Sequence, residues 1–407
     1  MTTIAQKQNH TNQRETKTAY KFLFIIGLCH LLNDTLQAVV PAMFPILEKN
    51  LLLTYTQLGV ISFSLNIVSS IMQPIVGWQT DKKPMPYALP ISMLSTMLGM
   101  ILFATANQYE MLILSVIFIG IGSAIFHPEG SRVAYMAAGP RRGLAQSIYQ
   151  VGGNIGQALA PLITALVLLP LGQIGGLSFA PLAFIAALLL LYIARWYASQ
   201  IKQYPILKKK KSDRLSISRT VWISLLIILF LIFARSWYIS AMTNFFAFYI
   251  MEQFHFSMKL AQFYIFAFLL AGALGTFFGG PLADRFGKKT IILLSMVGAV
   301  PFTALLPFTN PTVCFILLFI IGFILMASFS VTVVYAQELV PNMIGTMSGL
   351  TVGLAFGMGA IGSLVIGGLA DNFGLLPTIK FISLLPILGI LTIFLPSDTK
   401  LSKLHRH

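Results

Sequence analysis

Several ionisable residues lie inside long apolar stretches of this sequence. His30 and Asp34 are four residues apart, which places them on one face of a helix. Glu129 and Arg132 are three apart in a second stretch, and Arg235 interrupts a third. An ionised side chain is costly in an apolar medium, so such residues usually have a partner and a function. These residue types suit proton transfer by carboxylate and imidazole groups and anion binding by guanidinium groups.

The pair of Glu129 and Arg132 allows two interpretations. It is either a permanent salt bridge that neutralises both side chains or a switchable pair. In the second case, protonation of Glu129 would free Arg132 to bind an anion. Pro128 removes one helical hydrogen bond beside the pair. This local irregularity favours the functional interpretation.

Asp34 and Arg235 form the second candidate pair. A shift of 201 residues superimposes Arg235 on Asp34. The alternative for Asp34 is a carboxyl group that is hydrogen-bonded to Asn33 or His30 and never titrates. The alternative for Arg235 is a side chain that extends to a membrane surface. Its position, about 21 Å along a helix from the start of its stretch, argues against that alternative.

The remaining titratable candidates are His30, His127 and Glu338. Imidazole groups titrate near neutral pH, so either histidine could carry a proton. Each could equally be a structural hydrogen-bonding group. Glu338 stands near the end of an apolar stretch, where a gate residue, a second proton site and a helix-end carboxylate remain equal alternatives.

The elements that position these residues are apolar segments. The chain of 407 residues is 57% hydrophobic and 10% charged. It divides into about twelve apolar stretches of roughly 20 to 28 residues, each long enough to cross a bilayer. A soluble fold could not bury so much apolar surface, so the sequence predicts an all-α membrane protein with two six-helix halves and no sizeable soluble domain. The predicted spans are 20–46, 54–78, 87–106, 110–138, 143–170, 175–199, 221–251, 257–283, 289–309, 311–339, 343–371 and 375–396.

Charge and cysteine content complete the prediction. The net charge is +15, and its Lys and Arg residues concentrate in the tails and in alternate joints. This asymmetry predicts cytoplasmic termini and lipid-headgroup contacts rather than nucleic-acid binding. Cys29 and Cys314 lie far apart in apolar stretches, so we expect neither a disulfide nor a metal site. We expect disordered or polar cytoplasmic segments at 1–19, 200–220 and 397–407, with six-helix bundles at 20–199 and 221–396.

The two halves repeat each other. A shift of 203 residues superimposes the joint that begins at Gly77, GWQTDKK, on the joint that begins at Gly280, GPLADRF. A shift of 201 residues superimposes Gly152 on Gly353 and Gly156 on Gly357. Similar offsets across separate motifs indicate two bundles related by an axis along the membrane normal. Such an arrangement predicts a substrate site between the halves at mid-depth.

These motifs resemble those of a known superfamily. The stretch GPLADRFGKK from Gly280 to Lys289 is similar to the signature loop of the major facilitator superfamily, and GWQTDKK is its degenerate partner. Further segments resemble the bacterial fosmidomycin resistance proteins. They are HLLND at 30–34, FHPE at 126–129, GLAQS at 143–147, QVGGN at 150–154 and YAQEL at 335–339.

The resemblance implies a fold, an activity and site residues. It implies twelve helices in two pseudo-symmetric bundles whose first, fourth, seventh and tenth helices line a central cavity. Arg132 and Arg235 would face one another across it and bind an anion. Further substrate-binding candidates are Trp237, Tyr238 and Asn154. The resemblance also implies a conformational latch at the basic joints, formed by Gly77, Asp81, Gly280, Asp284 and Arg285.

The function that follows is proton-coupled antiport by alternating access. The expected substrate is a small anionic drug, such as a fosmidomycin-like phosphonate, exported across the bacterial inner membrane by a monomer. Protons and the lipid bilayer are the other expected partners, and no cofactor is expected. The alternative is a carrier of an endogenous anionic metabolite or sugar-type substrate. The sequence contains neither an ATP-binding loop nor a hydrolase or zinc-protease motif, which argues against an enzyme.

Overall fold

The computed structural model describes residues 18–139, 142–203, 219–340 and 344–403. Most of the predicted N-terminal tail, the centre of the predicted linker and the last four residues lie outside these ranges. Thr18 and Ala19 already bond the main chain at Ala138 and Ala137. Residues 398–403 of the predicted C-terminal tail form a short helix.

The first half of the chain, residues 18–203, contains eight described α-helices and two short irregular helices. A π-helical turn, Thr164–Leu168, and a 3-10 helix, Gln173–Ser178, connect the last of them. The α-helices are α1 Tyr20–Ala42, α2 Phe44–Leu51, α3 Tyr55–Lys82, α4 Ala88–Thr105, α5 Tyr109–Ala137, α6 Arg142–Ile163, α7 Leu169–Leu171 and α8 Phe179–Gln203.

The second half, residues 219–403, repeats this plan. Two 3-10 helices, Leu306–Phe308 and Leu385–Phe394, extend the ninth and twelfth membrane spans of the chain. The α-helices are α9 Arg219–Asn244, α10 Phe246–Phe254, α11 Met258–Phe286, α12 Lys288–Val297, α13 Val300–Leu305, α14 Pro311–Met326, α15 Phe329–Leu339, α16 Ile344–Phe373, α17 Leu375–Ile382 and α18 Asp398–Lys403.

Twelve helical segments of the described residues are long and apolar enough to cross a membrane, as predicted. Helices satisfy every backbone polar group internally, which is why hydrocarbon permits them. Several spans begin at recognisable caps. Thr54 and Gln57 form a capping box at the start of α3, and the side chains of Ser257 and Asn310 cap α11 and α14. The protein is therefore a multi-pass membrane protein with the predicted fold class.

The helices of each half pack mainly against one another. In the first half α1 packs on α6, and α5 packs on α3 and α4; in the second half α11 packs on α14. Between the halves, α3 packs against α16 and α6 packs against α11. Glycines allow the closest approach: a Cβ atom at Gly152 or Gly156 would collide with the main chain of Gly27 or Leu31 in α1. Small residues are the usual means of close helix packing in membranes.

The two ends of the bundle differ in charge and in packing. The basic end, where α3 and α11 finish, carries Lys83, Arg285, Lys288 and Lys289. At the opposite end the halves are joined. Gln262 of the second half donates a hydrogen bond of 2.9 Å to the carbonyl oxygen of Ala42 of the first half. We call the contact surface between the two halves the seam. Further along, the hydroxyl of Ser70 donates to the carbonyl of Gly353 at 2.7 Å.

We predict that Gly156→Ala destabilises the protein through the α1–α6 interface. The added methyl group would collide with the main chain of Leu31, and overpacking of this kind costs about 1–3 kcal/mol. Thermal unfolding in detergent measures the effect. Gly280→Ala is the matched control, because a Cβ atom there meets no described atom within 4 Å. Equal melting temperatures for both variants would contradict the prediction.

Candidate functional site

A chamber lies between the two halves, with a volume of about 280 Å³. Helices α1, α3, α5 and α6 line it from the first half, and α9, α11, α15, α16 and the end of α14 line it from the second. Amide, imidazole and carboxyl groups dominate the first wall, whereas hydroxyl groups and one guanidinium mark the second. The polar lining residues are His30, Asp34, Gln37, Ser62, Asn66, His127, Gln150, Asn154, Gln157, Arg235, Ser236, Ser240, Thr243, Asn244 and Thr276.

Asp34 is the centre of a polar cluster on the first wall. Its Oδ1 atom lies 3.4 Å from Nε2 of His30 and 3.4 Å from Nε2 of His127. The amide of Asn33 donates to the same oxygen at 3.0 Å, and the amide of Gln157 donates to Oδ2 at 3.0 Å. We call Asp34, His30 and His127 the Asp34 cluster. Both expected partners of Asp34, Asn33 and His30, are present, and His127 joins them from another helix.

The outer nitrogens of both imidazole rings contact carbonyl oxygens. Nδ1 of His30 lies 2.7 Å from the carbonyl of Tyr149, and Nδ1 of His127 lies 2.9 Å from the carbonyl of Ser123. A carbonyl oxygen only accepts, so each Nδ1 carries the hydrogen of a neutral ring. Each Nε2 then presents a lone pair to the Asp34 carboxylate unless a cation intervenes. The geometry therefore favours at least one bound cation.

The three facing atoms of the cluster lie within 4.8 Å of one another. A shared proton fits this spacing, and a divalent metal ion could also be held by two imidazoles and a carboxylate. The sequence alone predicted no metal site, since only the two cysteines were considered as ligands.

Two residues that the sequence did not single out for this site shape it. The ring of Tyr149 stacks on His30 at a centroid distance of 4.1 Å. Gly153 provides room, because a Cβ atom there would lie 2.6 Å from Nε2 of His30 and 2.8 Å from Oδ2 of Asp34. Gly153 lies in the QVGGN segment, which entered the sequence analysis only as part of the family resemblance.

Arg235 lies on the second wall of the chamber. It is only 4% exposed, and Nη1 donates a hydrogen bond of 3.2 Å to the hydroxyl of Ser328. Its guanidinium lies 5.1 Å from the ring centroid of Phe329. No carboxylate of the described residues forms an ion pair with it. A buried guanidinium without a counter-charge is costly, and a bound anion would remove that cost.

Glu129 and Arg132 lie outside the chamber, so the expectation that Arg132 faces Arg235 is wrong. Glu129 is fully buried, 3.5 Å from Nε of Arg132. Arg132 donates to the carbonyl and the hydroxyl of Thr80 at 2.7 and 3.2 Å. These contacts hold the end of α3 against α5 inside the first half. These contacts are those expected of a permanent salt bridge.

Trp237 and Tyr238 do not line the chamber either, so their prediction as cavity walls is wrong. Trp237 packs against Gly362 and the ring of Phe233, and Tyr238 is buried in the apolar core. Trp237, two positions after Arg235, is rotated by about 200° from it around the helix; Tyr238 is only about 60° away, so its burial does not follow from this rotation. Asn154 does line the chamber, as predicted.

The other predicted residues lie near the basic end. Glu338 is 43% exposed and pairs with Lys288 of the same half at 3.0 Å, which fits the helix-end carboxylate among its three interpretations. Asp284 and Arg285 are exposed, and Arg285 lies over the ring of Phe286. Gly77 approaches Pro128, Gly280 has open space around it, and the side chain of Asp81 lies outside the described part.

Sequence comparison identifies related proteins. The sequence model described as Major Facilitator Superfamily matches residues 23–352. A protein of Bacillus subtilis strain 168 described as the uncharacterized MFS-type transporter YfnC is 58% identical over 408 residues, with all of both chains covered. The fosmidomycin resistance protein of Escherichia coli K12 is 42% identical over 388 residues, covering 94% of this chain and 95% of that protein.

Structural comparison agrees at the level of the fold. A crystal structure of a bacterial homologue of the human lysosomal transporter Spinster, inward-facing and occupied, superposes with a TM-score of 0.73. The match covers 93% of this chain and 94% of that one at 16% identity.

We predict that Glu129→Gln destabilises the protein by about 3–5 kcal/mol, because it breaks the ion pair that the fully buried Glu129 makes with Arg132. Thermal unfolding in detergent measures this change. Glu338→Gln is the matched control, since it removes a partly exposed ion pair worth about 1 kcal/mol or less. A Glu129→Gln protein as stable as the control would show that the pair does not support the fold.

Proposed function

The chain belongs to the major facilitator superfamily, and from this membership we propose a proton-coupled antiporter that exports a small anionic drug by alternating access. A small molecule crosses the membrane; the chain is a transporter, not an enzyme. A fosmidomycin-like phosphonate is the proposed substrate, because the chain is 42% identical to the fosmidomycin resistance protein of Escherichia coli K12. The proposal includes the bacterial inner membrane, cytoplasmic termini and a monomer.

One observation carries the proposal: the Asp34 cluster and a guanidinium that pairs with no carboxylate of the described residues line the same chamber. Arg235 offers a planar fork that matches two oxygens of a phosphonate or carboxylate. The Asp34 cluster offers two imidazole nitrogens and a carboxylate to a proton. The two groups come from different halves, so a substrate that contacts both connects the halves.

Exchange requires that proton and substrate exclude one another. Charge alone does not achieve this, because a protonated Asp34 cluster would attract an anion. Exclusion follows if the substrate also carries a hydroxyl or N–H group that donates to Asp34 and to the Nε2 lone pairs of the histidines. Such donors replace the proton. The proposed substrate therefore has an anionic group at one end and hydrogen-bond donors at the other.

The second candidate is export of an endogenous anionic metabolite or a sugar-type substrate. The chamber wall favours it to the extent that six amides and several hydroxyls face the cavity. Side-chain amides suit ligands with many hydrogen-bonding groups. If a sugar acid binds the purified protein more tightly than fosmidomycin, and expression gives no tolerance to the drug, this candidate replaces the first.

We predict that fosmidomycin drives proton movement in proteoliposomes and that Asp34→Asn abolishes it. Neutral asparagine cannot bind a proton in exchange for substrate. A trapped pH-sensitive dye reports the flux, and EDTA in all buffers removes metal ions that could occupy the cluster. Glu110→Gln, an exposed acid-to-amide change, is the control. Binding to purified parent protein should release protons; proton uptake on binding would contradict antiport.

We predict that Arg235→Gln weakens fosmidomycin binding by about 10- to 100-fold, the usual effect of losing a hydrogen bond to a charged group. Arg235→Lys keeps the positive charge but loses the forked N–H donors of the guanidinium. Its affinity for fosmidomycin should therefore lie between those of the parent protein and Arg235→Gln. Calorimetric titration in detergent measures the dissociation constants. Arg195→Gln, an exposed site on α8, should bind as the parent does. If Arg235→Gln binds fosmidomycin as tightly as the parent protein does, the anionic group does not bind at Arg235.

A further inference from the structure

The end of α16 meets the start of α3 at the opposite end of the bundle. Oδ1 of Asp371 accepts a hydrogen bond of 2.9 Å from the backbone N–H of Tyr55. Oδ2 accepts one of 2.7 Å from the backbone N–H of Thr56 and another from the hydroxyl of Thr56. The donors belong to the first half and the carboxylate to the second. One side chain thus makes three hydrogen bonds across the seam.

These bonds complete the N-terminus of α3. The first N–H groups of a helix lack intrahelical acceptors, and the positive end of the helix dipole favours an anion. Thr54 supplies an acceptor only to Gln57 within its own half. Tyr55 and Thr56, the first two helical residues, receive theirs from Asp371. The cap of α3 is therefore complete only while the halves are together at this end.

The neighbouring contacts cross the same part of the seam. The hydroxyl of Tyr55 donates to Glu252 at 2.9 Å. A Cβ atom at Gly59 would lie 2.6 Å from the carbonyl of Ser363, so the two main chains touch. At the basic end, by contrast, Asp284 is exposed and a Cβ atom at Gly280 would meet nothing within 4 Å. The seam is therefore tight at the opposite end, whereas Asp284 and Gly280 show no comparable close contact with the described residues at the basic end.

We propose that Asp371, with Tyr55 and Thr56, forms a latch that holds the chamber closed at the opposite end and must break for that end to open. We call it the Asp371 latch. Asp371 is exposed. Water can therefore replace the lost bonds, which suits a reversible contact. The latch rests on the alternating-access part of the proposed function, but it needs no particular substrate.

Spin-label distance measurements test the latch directly. Leu171→Cys and Phe308→Cys place labels on exposed residues at the opposite end, one on each half and neither in the latch. The buried Cys29 and Cys314 are first replaced by alanine. Asp371→Asn should increase the ratio of long-distance to short-distance population by about three- to thirtyfold, the range expected for loss of a helix cap.

The controls separate the latch from general loss of packing. Asn372→Ala removes a neighbouring side chain that bonds only within α16, and it should leave the distances unchanged. Thr56→Val should shift them in the same direction as Asp371→Asn, and the double variant should shift less than the sum. Unchanged distances in Asp371→Asn, or fully additive effects in the double variant, would overturn the latch.

The latch and the proposed function can fail separately. A parent protein in which no anion moves protons, but in which Asp371→Asn opens the opposite end, refutes proton-coupled anion export and keeps the latch. A protein that exchanges fosmidomycin for protons, with unchanged distances in Asp371→Asn, keeps the function and refutes the latch.

Discussion

The cost of a buried charge is the constraint on which the central chamber depends. Hydrocarbon does not solvate ions, so each charged side chain in the spans needs a partner or a ligand. Glu129 and Arg132 satisfy one another inside the first half. Asp34 contacts two imidazoles and two amides, and a bound cation would compensate its remaining negative charge. Arg235 contacts a hydroxyl and an aromatic ring but pairs with no carboxylate in the described part of the chain, so a bound anion would compensate its charge.

Much of this arrangement follows from the sequence. Span count, the two-fold repeat and the facing positions of Asp34 and Arg235 all derive from hydropathy and a constant offset. Twelve spans were found, and both residues line the chamber. Contacts between side chains on different helices could not be predicted from the sequence. Nothing local connects His127 to Asp34 on another helix or marks Tyr149 as the ring that stacks on His30. Such contacts depend on helix rotation and on room left by Gly153.

The wrong assignments have a helical explanation. His127, Glu129 and Arg132 are close in the chain, and the sequence named all three as candidate site residues. On a helix of 3.6 residues per turn, Glu129 lies about 200° and Arg132 about 140° around the axis from His127. With His127 facing the chamber, the other two must face the interior of the first half. The same rotation turns Trp237 away from the wall that Arg235 occupies. The rotation of about 100° per residue places Glu129 and Arg132 on a different face of α5 from His127, and this could have been read from the sequence.

The division of the site between two halves explains how binding could be coupled to movement. All three members of the Asp34 cluster belong to the first half, so their mutual distances survive any rigid rocking of one half on the other. The distance from this cluster to Arg235 does not. A substrate that bridges both walls therefore prefers one arrangement of the halves, whereas a proton held by the first half alone does not require it. Substrate then controls the seam, and the exposure of the cluster changes as the seam opens.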